Sequence, residues 1–550
     1  MTDVKQLITE HLDIWLTAET EKKSGRGRSS GSDDTIYGVK KLRELILTLA
    51  LTGKLIKTSS EWKNYTLDQV GVWAIGSGFP KNAQGQQNEE ILFCKVSDMN
   101  LLGNEKYIND TNHSISLATA KQLKTKVHNV GTVIFPKIGG AIATNKRRIL
   151  TKPTAIDNNC LGISPHNFVD SEWLYLLLKN IDFSEYQAGT SVPALQQAKI
   201  AKIKVYVPSL EDQHKVINEV KNYRRLCDQL EQQQTLSSEA HATLVDTLLK
   251  ALTESNDADE FQDNWQRIVA NFDLLFTTEY SIEQLKQTVL QLAVMGKLVK
   301  QDPSDEPASE LLKKIADEKA KLIKEGKIKK TKPLPEISED EKPFELPSGW
   351  EFAWKKELFN FLNGYAFKSE WFDKNQCGMK LLRNINISHG YVNWDETVFL
   401  KEEFIEDFQS FALEENDIVL TLDRPLISTG LKYAILRKED LPCYLLQRVA
   451  KFQAFKEQTI FVKYLELWIN SKFFISNIDQ GRSNGVPHIS TAQVEKMVFA
   501  LPPFNEQKRI VEKVDQLFSM INQLQVLQNK LQKTKLHLAD ALVANAVEGV

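Results

Sequence analysis

The stretch that decides the fold is SLEDQHKVINEVKNYRRLCDQLEQQQTLSSEAHATLVDTLLKAL, residues 209–252. The same design returns as PFNEQKRIVEKVDQLFSMINQLQVLQNKLQKTKLHLADALVANA, residues 503–546. Residues 208–246 align with residues 502–540 without a gap. In both copies the apolar residues alternate steps of four and three, which is the heptad spacing of a coiled-coil seam. The pattern therefore predicts two helices of about 40 residues, each roughly 60 Å long.

A glutamine stands at the middle seam position of each copy, Gln234 in the first and Gln528 in the second. A polar pair in a coiled-coil seam weakens the seam but fixes its register. An ordinary amphipathic core helix gives a similar stripe, but two gap-free copies favour a matched antiparallel pair within one chain. The other predicted seam residues are Val216, Val220, Tyr223, Cys227, Leu230, Leu244, Leu248 and Ala251 in the first copy, and Ile510, Val514, Leu517, Ile521, Leu524, Leu531, Leu538 and Leu542 in the second.

The composition is that of a globular protein, with 550 residues, 42% hydrophobic and 26% charged, which allows about three or four domains. No apolar run is long enough to span a membrane, and the N-terminus does not resemble a signal peptide. The five cysteines are far apart and form no CxxC, which argues against zinc fingers and disulfides and fits a reducing cytoplasm. Because the net charge is −3, any surface for nucleic acid must be local.

The whole chain is an internal duplication. Residues 42–56, LRELILTLALTGKLI, match residues 285–299, LKQTVLQLAVMGKLV, and Gly-Lys ends both predicted helices. The predicted fold is α+β, with two mixed α/β domains joined by two long antiparallel coiled-coil helices in a pseudo-twofold arrangement. The predicted segments are an N-terminal helical region at 1–60 with a flexible insert at 19–35, a first mixed domain at 61–208, a first long helix at 209–255, a helical region at 256–300 that repeats 1–60, a charged helix (308–324) and Pro-rich linker at 301–348, a second mixed domain at 349–502, and a second long helix at 503–550.

The two mixed domains, called here the first domain (61–208) and the second domain (349–502), contain short β-rich runs broken by Gly, Asn and Pro. Trp62 aligns with Trp350, and Gly76 aligns with Gly364. The helices repeat more closely than the domains, as expected if each domain recognises something different on a common frame. The predicted strands lie at 91–96, 132–135 and 205–207, and at 380–382, 418–421 and 496–500.

Catalytic motifs are missing from the sequence. No G-x-x-x-x-G-K-[ST] loop is present, so nucleotide hydrolysis has no visible site. Amino-methyltransferases need Asp, Asn or Ser before Pro-Pro-aromatic, but the chain has Leu501-Pro502-Pro503-Phe504, and leucine accepts no hydrogen bond. No Ser/His/Asp or Cys/His arrangement is recognisable. We therefore predict no catalytic residue and no metal ligand in this chain.

Residues 111–156 contain no Asp or Glu but many lysines and arginines. Such a surface neutralises phosphates and releases counterions when nucleic acid binds, and a solvated basic face without a partner is the alternative. The segments KIGG at 137–140 and ATNKRR at 143–148 are typical of loops that reach phosphates and base edges. The candidate DNA-binding residues of the first domain are Lys81, Lys95, Lys137, Asn145, Lys146, Arg147, Arg148 and Lys152, and the acid-free segment also includes Lys121, Lys124 and Lys126.

The second domain is less basic, and its candidates include arginine and asparagine, which pair with guanine and adenine edges. GRSNG at 481–485 is predicted to be an exposed turn. Two further basic stretches, Arg26 with Arg28 and the lysines at 327–332, suit either phosphates or a solvated loop. The candidate DNA-binding residues of the second domain are Arg383, Asn384, Asn386, Arg424, Ser428, Thr429, Lys432, Arg448, Arg482 and Asn484.

The chain resembles the specificity subunits of type I restriction-modification systems over nearly its whole length. The most specific segments are LPPFNEQKRIVEKVDQLF with its twin VPSLEDQHKVINEV, the pair LALTGKL and LAVMGKL, and DPSDEPASELLKKIADEKAKLIKEGKIKK. In the second domain, NGYAFKSEWF, LLRNINI, NDIVLTLD and QRVAKF are similar to the family's target-recognition domain. The first-domain segments GSGFPKNAQ, FCKVSDMN and GTVIFPKIGG match less closely.

The resemblance implies two target-recognition domains held apart by the long helices, each recognising one half of a bipartite double-stranded DNA site with an unread spacer. It implies a non-catalytic subunit that binds no cofactor itself and no membrane. Its partners are two methyltransferase subunits, which use S-adenosylmethionine to methylate adenine and can recruit two restriction subunits that use ATP and Mg. Residues 42–56 and 285–299, with the long helices, are expected to form the docking surfaces.

The residues alone leave other classes open. A coiled-coil scaffold that joins two protein partners without reading DNA has the same helical pattern. A self-contained methyltransferase is disfavoured by leucine at position 501, while the many scattered acidic residues leave a nuclease open.

Overall fold

The computed structural model describes residues 4–19, 36–189, 192–330, 332, 334–373, 377–478 and 488–548. The chain forms two compact units: unit 1 is Met1–Glu239 with Asn529–Val550, and unit 2 is Ala240–Gln528. Each unit therefore contains segments from both halves of the duplicated sequence.

The α-helices are, in chain order, α1 (Val4–Glu10), α2 (Leu12–Thr17), α3 (Tyr37–Leu51), α4 (Leu117–Gln122), α5 (Ser171–Asn180), α6 (Gln197–Ile200), α7 (Leu210–Thr253), α8 (Ala258–Ala270), α9 (Phe272–Leu275), α10 (Glu279–Val294), α11 (Ala308–Lys324), α12 (Lys355–Leu358), α13 (Val462–Ile469), α14 (Lys472–Ile475), α15 (Thr491–Glu495) and α16 (Phe504–Glu548). The helix predicted at 308–324 is confirmed as α11.

The strands of unit 1 are β1 (Lys63–Thr66), β2 (Gly71–Ile75), β3 (Ile91–Cys94), β4 (Tyr107–Ile108), β5 (Ser114–Ile115), β6 (Val127–His128), β7 (Val133–Pro136), β8 (Arg148–Leu150), β9 (Thr154–Ile156), β10 (Cys160–Pro165), β11 (Gln187–Ala188), β12 (Ala194–Leu195) and β13 (Lys204–Val207). The strands of unit 2 are β14 (Glu351–Trp354), β15 (Phe359–Asn363), β16 (Phe372–Asp373), β17 (Met379–Leu382), β18 (His389–Gly390), β19 (Val398–Leu400), β20 (Ile418–Thr421), β21 (Leu426–Ile427), β22 (Gly430–Leu431), β23 (Tyr433–Ile435), β24 (Cys443–Leu445), β25 (Val449–Ala454) and β26 (Val498–Leu501). Each of the six predicted strands corresponds to one of these, with ends that differ by up to two residues.

The two predicted long helices are α7 and α16, with 44 and 45 residues, or about 66 Å each. In unit 1 the beginning of α7 and the end of α16 share one hydrophobic core, which contains Cys227 and Ala539. In unit 2 the end of α7 and the beginning of α16 share another core, which contains Leu252 and Val514. The beginning of each helix thus packs with the end of the other, so the predicted antiparallel arrangement is confirmed.

The buried face of each long helix departs from the predicted seam near its C-terminal end. Leu244 is 50% exposed, whereas the next residue, Val245, is 1% exposed, and in α16 Leu538 is 44% exposed beside the fully buried Ala539. The predicted seam is wrong here because Val245 packs into the globular core of unit 2 with Ile268. The buried stripe then follows the 3.6-residue period of a straight helix rather than a strict heptad.

The predicted seam is also wrong at Leu531, which is 46% exposed, whereas the remaining predicted seam residues are buried or half-buried. Gln234 and Gln528 are both half-buried, and they lie in different units, so their pairing stays a prediction. Of the others, Val220, Cys227, Val514 and Ile521 are buried, and Leu230, Leu248, Leu524 and Leu542 are half-buried.

The five-stranded sheets of the two domains have the same topology. The order is β2-β10-β7-β8-β4 in the first domain and β15-β25-β20-β23-β18 in the second. In each sheet the first three pairings are antiparallel and the last is parallel. A four-stranded sheet accompanies each, and there β3 runs parallel to β9 as β17 does to β24. The topology therefore confirms the duplication of the two domains.

A buried glutamine joins each long helix to its domain. Gln213, in the first turn of α7, donates from Nε2 to the carbonyl oxygens of Phe168 and Pro208 (2.9 Å each), and its Oε1 accepts from the Asp170 amide at 2.8 Å. Gln507 repeats these three bonds at the start of α16, and both glutamines are fully buried. The partners of Gln507 are the carbonyls of Thr459 (3.0 Å) and Pro502 (3.1 Å) and the amide of Phe461 (2.7 Å).

The lysine of each Gly-Lys pair caps a long helix. Lys54 donates from Nζ to the carbonyl of Val547 near the end of α16 at 2.8 Å, and Lys297 donates to the carbonyl of Thr253 at the end of α7 at 3.0 Å. The preceding glycines both have positive φ, +73° and +72°, as the predicted helix stop requires. A cation beside the last carbonyls of a helix also interacts favourably with the helix dipole.

A tyrosine–aspartate bond is repeated in the same way. Tyr37, at the start of α3, donates to Asp540 on α16 at 2.8 Å. Tyr280, near the start of α10, donates to Asp246 on α7 at 2.7 Å. In each unit, a short helix from one half of the sequence is therefore bonded to the long helix of the other half.

Candidate nucleic-acid interface

Loops of the first domain meet at one end of its sheets. The Ser77 hydroxyl is hydrogen-bonded to the Thr125 hydroxyl, and Ser77 forms a parallel bridge with Asp157. The Lys137 amide donates to the carbonyl of Asn159 at 2.7 Å. The loops that contain Thr125 and Lys137 therefore lie at the same end of the sheets. We call this end the first tip and define it as residues 76–79, 124–126, 137–140 and 157–159.

The second domain has a corresponding end. The Gln447 amide donates to the carbonyl of Tyr365 at 2.9 Å, and the Leu422 amide donates to the carbonyl of Arg448 at 2.8 Å. We call this end the second tip and define it as residues 363–367, 422–424, 447–448 and 488–491. An open cleft of about 620 Å³ lies here, and its lining includes Asn363, Asp423, Gln447, Arg448, His488 and Ser490.

The two tips are equivalent positions of one fold. Ser77 and Tyr365 form the same parallel bridge to the end of the facing strand, and Ile138 and Asp423 form the same antiparallel bridge, to Ala194 and His488. The glycines before Ser77 and Tyr365 approach backbone closely, so that a Cβ at either would collide with the carbonyl of Asp157 or Leu446. This close approach explains why Gly76 and Gly364 align.

Three candidates of the first domain lie at or beside the first tip. Lys137 is half-buried within it, and Lys81 is exposed on the turn that follows residue 79. Lys95 follows β3, which runs parallel to β9 and ends at the same edge. Its Nζ donates to Gln84 Oε1 at 2.7 Å and lies 5.4 Å from the centre of the Phe79 ring. These lysines stay predictions for DNA contact.

Arg147 and Arg148 are buried and bonded to the backbone of the fold, which argues against their predicted role as DNA contacts. Arg147 is 1% exposed, donates to the carbonyl of Leu178 at 3.1 Å and lies 4.0 Å from the centre of the Phe183 ring. Burial lowers the pKa of Arg147. Arg148 is 8% exposed and donates to the carbonyl of Met99 at 2.7 Å. Neither guanidinium can reach a phosphate while these bonds hold.

Two other candidates, Asn145 and Lys146, lie in the loop that joins the tip residues 137–140 to β8, and a third, Lys152, lies away from the first tip. Asn145 has a left-handed backbone (φ +48°) and donates its amide to the carbonyl of Lys179 at 3.0 Å, so it shapes the turn toward α5. Lys146 follows it and is half-buried. Lys152 is exposed, but it follows the end of β8, and β8 runs antiparallel to the strand that ends at Pro136. Lys152 therefore lies at the opposite end of this strand pair from Lys137.

In the second domain, one group of candidates builds a turn after β17. Asn386 is 1% exposed, accepts from the Arg383 amide at 3.2 Å and donates to the carbonyl of Asn393 at 3.0 Å. Both ends of its amide are used inside the fold, which argues against its predicted role as a DNA contact. Lys432 donates to the carbonyl of Asn384, and Arg383 donates to a backbone carbonyl nearby.

The exposed candidates of the second domain are Arg424, Ser428, Thr429 and Arg448. Arg424 and Arg448 lie at the second tip with positive φ, +50° and +70°, and Arg448 forms an ion pair with Asp423. These four residues stay predictions. The remaining candidates, Arg482, Asn484, Arg26 and Arg28, lie outside the described residues.

The structure adds tip residues that the sequence patterns did not indicate. Asn158 is exposed at the first tip, and Asn363 and Gln447 line the cleft of the second. Amide side chains donate to and accept from base edges. The signal that could have found them was the alignment of Gly76 with Gly364, because each tip contains the residues that follow this glycine and those that face it.

The described residues contain no group of three or more His, Cys, Asp or Glu placed to hold a metal ion. None of the described helices is both long and apolar enough to cross a bilayer.

The sequence profile of the family described as "Type I restriction modification DNA specificity domain" matches residues 59–238 and 347–533. The EcoAI type I restriction enzyme specificity subunit of Escherichia coli is 42% identical over 99% of this chain and 100% of the relative. The EcoEI specificity subunit of Escherichia coli is 32% identical with the same coverage. The HsdS subunit from Thermoanaerobacter tengcongensis covers 89% of this chain and 97% of its own, at 14% identity and a TM-score of 0.40. A chain of a type I R-M system structure on complex assembly covers 89% and 98%, at 14% identity and a TM-score of 0.45.

The chain therefore belongs to the specificity subunits of type I restriction enzymes. The predicted role, a non-catalytic DNA sequence-specificity subunit, is confirmed by these matches. The coiled-coil scaffold without DNA readout and the self-contained enzyme are thereby set aside.

Proposed function

We propose that the chain recognises a bipartite DNA site, with the first tip contacting one half and the second tip the other. The observation that supports this most directly is the equivalence of the tips: the same two bridges hold the same loops, while the side chains differ. Equivalent loops with different donors suit two half-sites of different sequence.

The long helices act as the spacer between the half-sites. Modules on one face of a DNA duplex enter successive major grooves when their half-sites are about 34 Å apart, or a multiple of it. A helix of about 66 Å is long enough to impose such a separation. The buried Gln213 and Gln507 support this role, because each ties the start of a long helix rigidly to its own domain.

The partners are two methyltransferase subunits, each using S-adenosylmethionine to methylate adenine, together with two restriction subunits that use ATP and Mg. The duplicated contacts of α3 with α16 and of α10 with α7 support two similar docking surfaces, one for each copy of a partner. The relatives EcoAI and EcoEI, whose names describe restriction enzyme subunits, support the presence of restriction partners.

A domain exchange tests this function. Residues 61–208 are replaced by the corresponding domain of a relative, the chain is co-expressed with its methyltransferase, and adenine methylation is mapped by single-molecule sequencing. One half of the methylated motif should change, while the other half and the spacer stay the same. The matched exchange of residues 349–502 should change the other half only. A change in both halves, or in neither, would show that the domains do not read independently.

A further inference from the structure

An edge segment of each domain occupies an equivalent place in the four-stranded sheets. In the first domain, Val127 of β6 pairs antiparallel with Ala155, which pairs parallel with Phe93. In the second, Ala412 pairs antiparallel with Tyr444, which pairs parallel with Leu381. The segments before these edge residues therefore correspond. We call residues 117–126 the first edge segment and residues 402–411 the second edge segment.

The two edge segments have opposite charge. The first contains three lysines and no acidic residue, and the second contains four acidic residues and no basic residue. All seven charged residues are exposed, and none of them forms an ion pair with another described residue. They are Lys121, Lys124 and Lys126 in the first segment and Glu402, Glu403, Glu406 and Asp407 in the second.

The first edge segment ends inside the first tip, which includes residues 124–126, and the second edge segment adjoins the second tip. Thr125 lies between two of the lysines, and its hydroxyl is bonded to Ser77 of the first tip. In the second segment the Phe411 ring lies 5.3 Å from the ring of Tyr365, the residue equivalent to Ser77. A DNA backbone that enters either tip on this side would therefore approach positive charge in the first domain and negative charge in the second.

We propose that Lys121, Lys124 and Lys126 form a phosphate-binding surface that has no counterpart in the second domain. This inference rests on the proposed function and goes beyond it, because it assigns phosphate contacts outside base recognition to the edge of the first domain and none to the edge of the second. The first domain holds the DNA backbone at its edge as well as its tip. The second domain contacts DNA at its tip alone, since its acidic edge repels phosphates.

Salt dependence distinguishes the two edges, because each phosphate neutralised adds about 0.9 to the slope of log K against log salt on duplex DNA. The first variant is Lys121→Gln, Lys124→Gln and Lys126→Gln together. It is measured as the complex with the methyltransferase, on a random-sequence duplex and on the methylated target of the wild-type complex. We expect the slope to fall by about 2 to 3 on both duplexes and the methylated motif to stay unchanged.

Two matched variants serve as controls. Lys63→Gln, Lys202→Gln and Lys204→Gln together remove the same charge from exposed lysines of the first domain; Lys63 and Lys204 lie on the paired strands β1 and β13, and Lys202 follows Ala201, which bonds to Asp68, so all three lie on the side of β2 that precedes it. Glu402→Gln, Glu403→Gln and Glu406→Gln together remove three of the four negative charges of the second edge segment. Neither control should change the slope by more than about 0.5.

Each result has one meaning. An unchanged slope in the first variant would overturn the proposal, and so would an equal loss in the control variant that contains Lys63→Gln, since the charge would then act without regard to its position. A steeper slope in the glutamine variant of the second edge would show that DNA passes that segment and would overturn the one-sided arrangement.

If the wild-type complex does not discriminate target from random duplex, the proposed function itself fails. If it discriminates but the first variant keeps its slope, only this inference fails.

Discussion

The long helices with the contacts that hold their ends, called here the frame, repeat closely between the two halves, whereas the side chains of the two tips differ. In the frame the contacts repeat: Gln213 and Gln507 form three equivalent hydrogen bonds, and Lys54 and Lys297 cap the C-terminal ends of α16 and α7 in the same way. At the tips the backbone bridges repeat, but the side chains at equivalent positions differ. Ser77 of the first tip corresponds to Tyr365 of the second, and Ile138 corresponds to Asp423. A buried polar side chain with all its bonds satisfied tolerates little change, because any replacement leaves partners unpaired. Exposed tip residues have no such constraint, so the two halves could diverge there.

The largest expected effect is on the frame. Gln213→Ala and Gln507→Ala should each lower the free energy of unfolding by about 3 kcal/mol, because two carbonyls and one amide lose their buried partner. Gln229→Ala, at an exposed position of α7, should change it by less than about 0.5 kcal/mol. Thermal unfolding of the purified complex measures both. If the two variants lose different amounts of unfolding free energy, the equivalent hydrogen bonds do not contribute equally to the stability of the two halves.

A smaller effect concerns a place inside the domains where the duplication fails. Lys355 is fully buried, 4.4 Å from the centre of the Phe474 ring, while the first domain has the buried Leu67 at the aligned position. Burial lowers the pKa of Lys355 well below its usual value. As the pH falls below about 10.4, Lys355 becomes protonated in the unfolded chain but stays neutral in the folded protein. The free energy of unfolding therefore falls with pH until the lowered pKa of the folded state is reached.

Lys355→Met should remove this pH dependence. The variant should be more stable than the wild type by on the order of 2 kcal/mol at neutral pH, and the difference should vanish near pH 10.5. Unfolding midpoints between pH 6 and pH 10.5 give the measurement. Parallel curves for the two proteins would mean that Lys355 is charged in the folded state and held by its aromatic neighbours.

The smallest effect concerns single charges at and away from the first tip. Lys137→Gln should reduce the salt slope of DNA binding by about 0.9 without changing stability. Lys152→Gln removes the same charge at the other end of the strand pair and should leave the slope unchanged. Binding titrations at several salt concentrations decide between the two lysines. A loss at Lys152 would show that the DNA surface extends beyond the tip as defined here.

The sequence patterns predicted the duplicated α+β architecture, the antiparallel long helices and the family, because these depend on periodicity and on motifs that occur twice. They did not predict the buried stripe at the ends of the long helices, since Val245 packs into a globular core assembled from distant segments. They also did not indicate that Arg147 and Asn386 are buried, because an isolated charged or amide residue in a loop gives no sign of the carbonyls that will surround it.

The sequence by itself determined that this protein repeats one design twice and has no catalytic motif, because heptads, Gly-Lys stops and strand patterns are local properties of the chain. Only the tertiary structure decided which donors face solvent. The loops at 76, 125, 137 and 157 are far apart in sequence and meet only when the sheets form. The opening stretch at 209–252 is likewise more than a coiled coil: its first turn contains the glutamine that joins the helix to a domain, and its last turn is capped by a lysine from the other half of the chain.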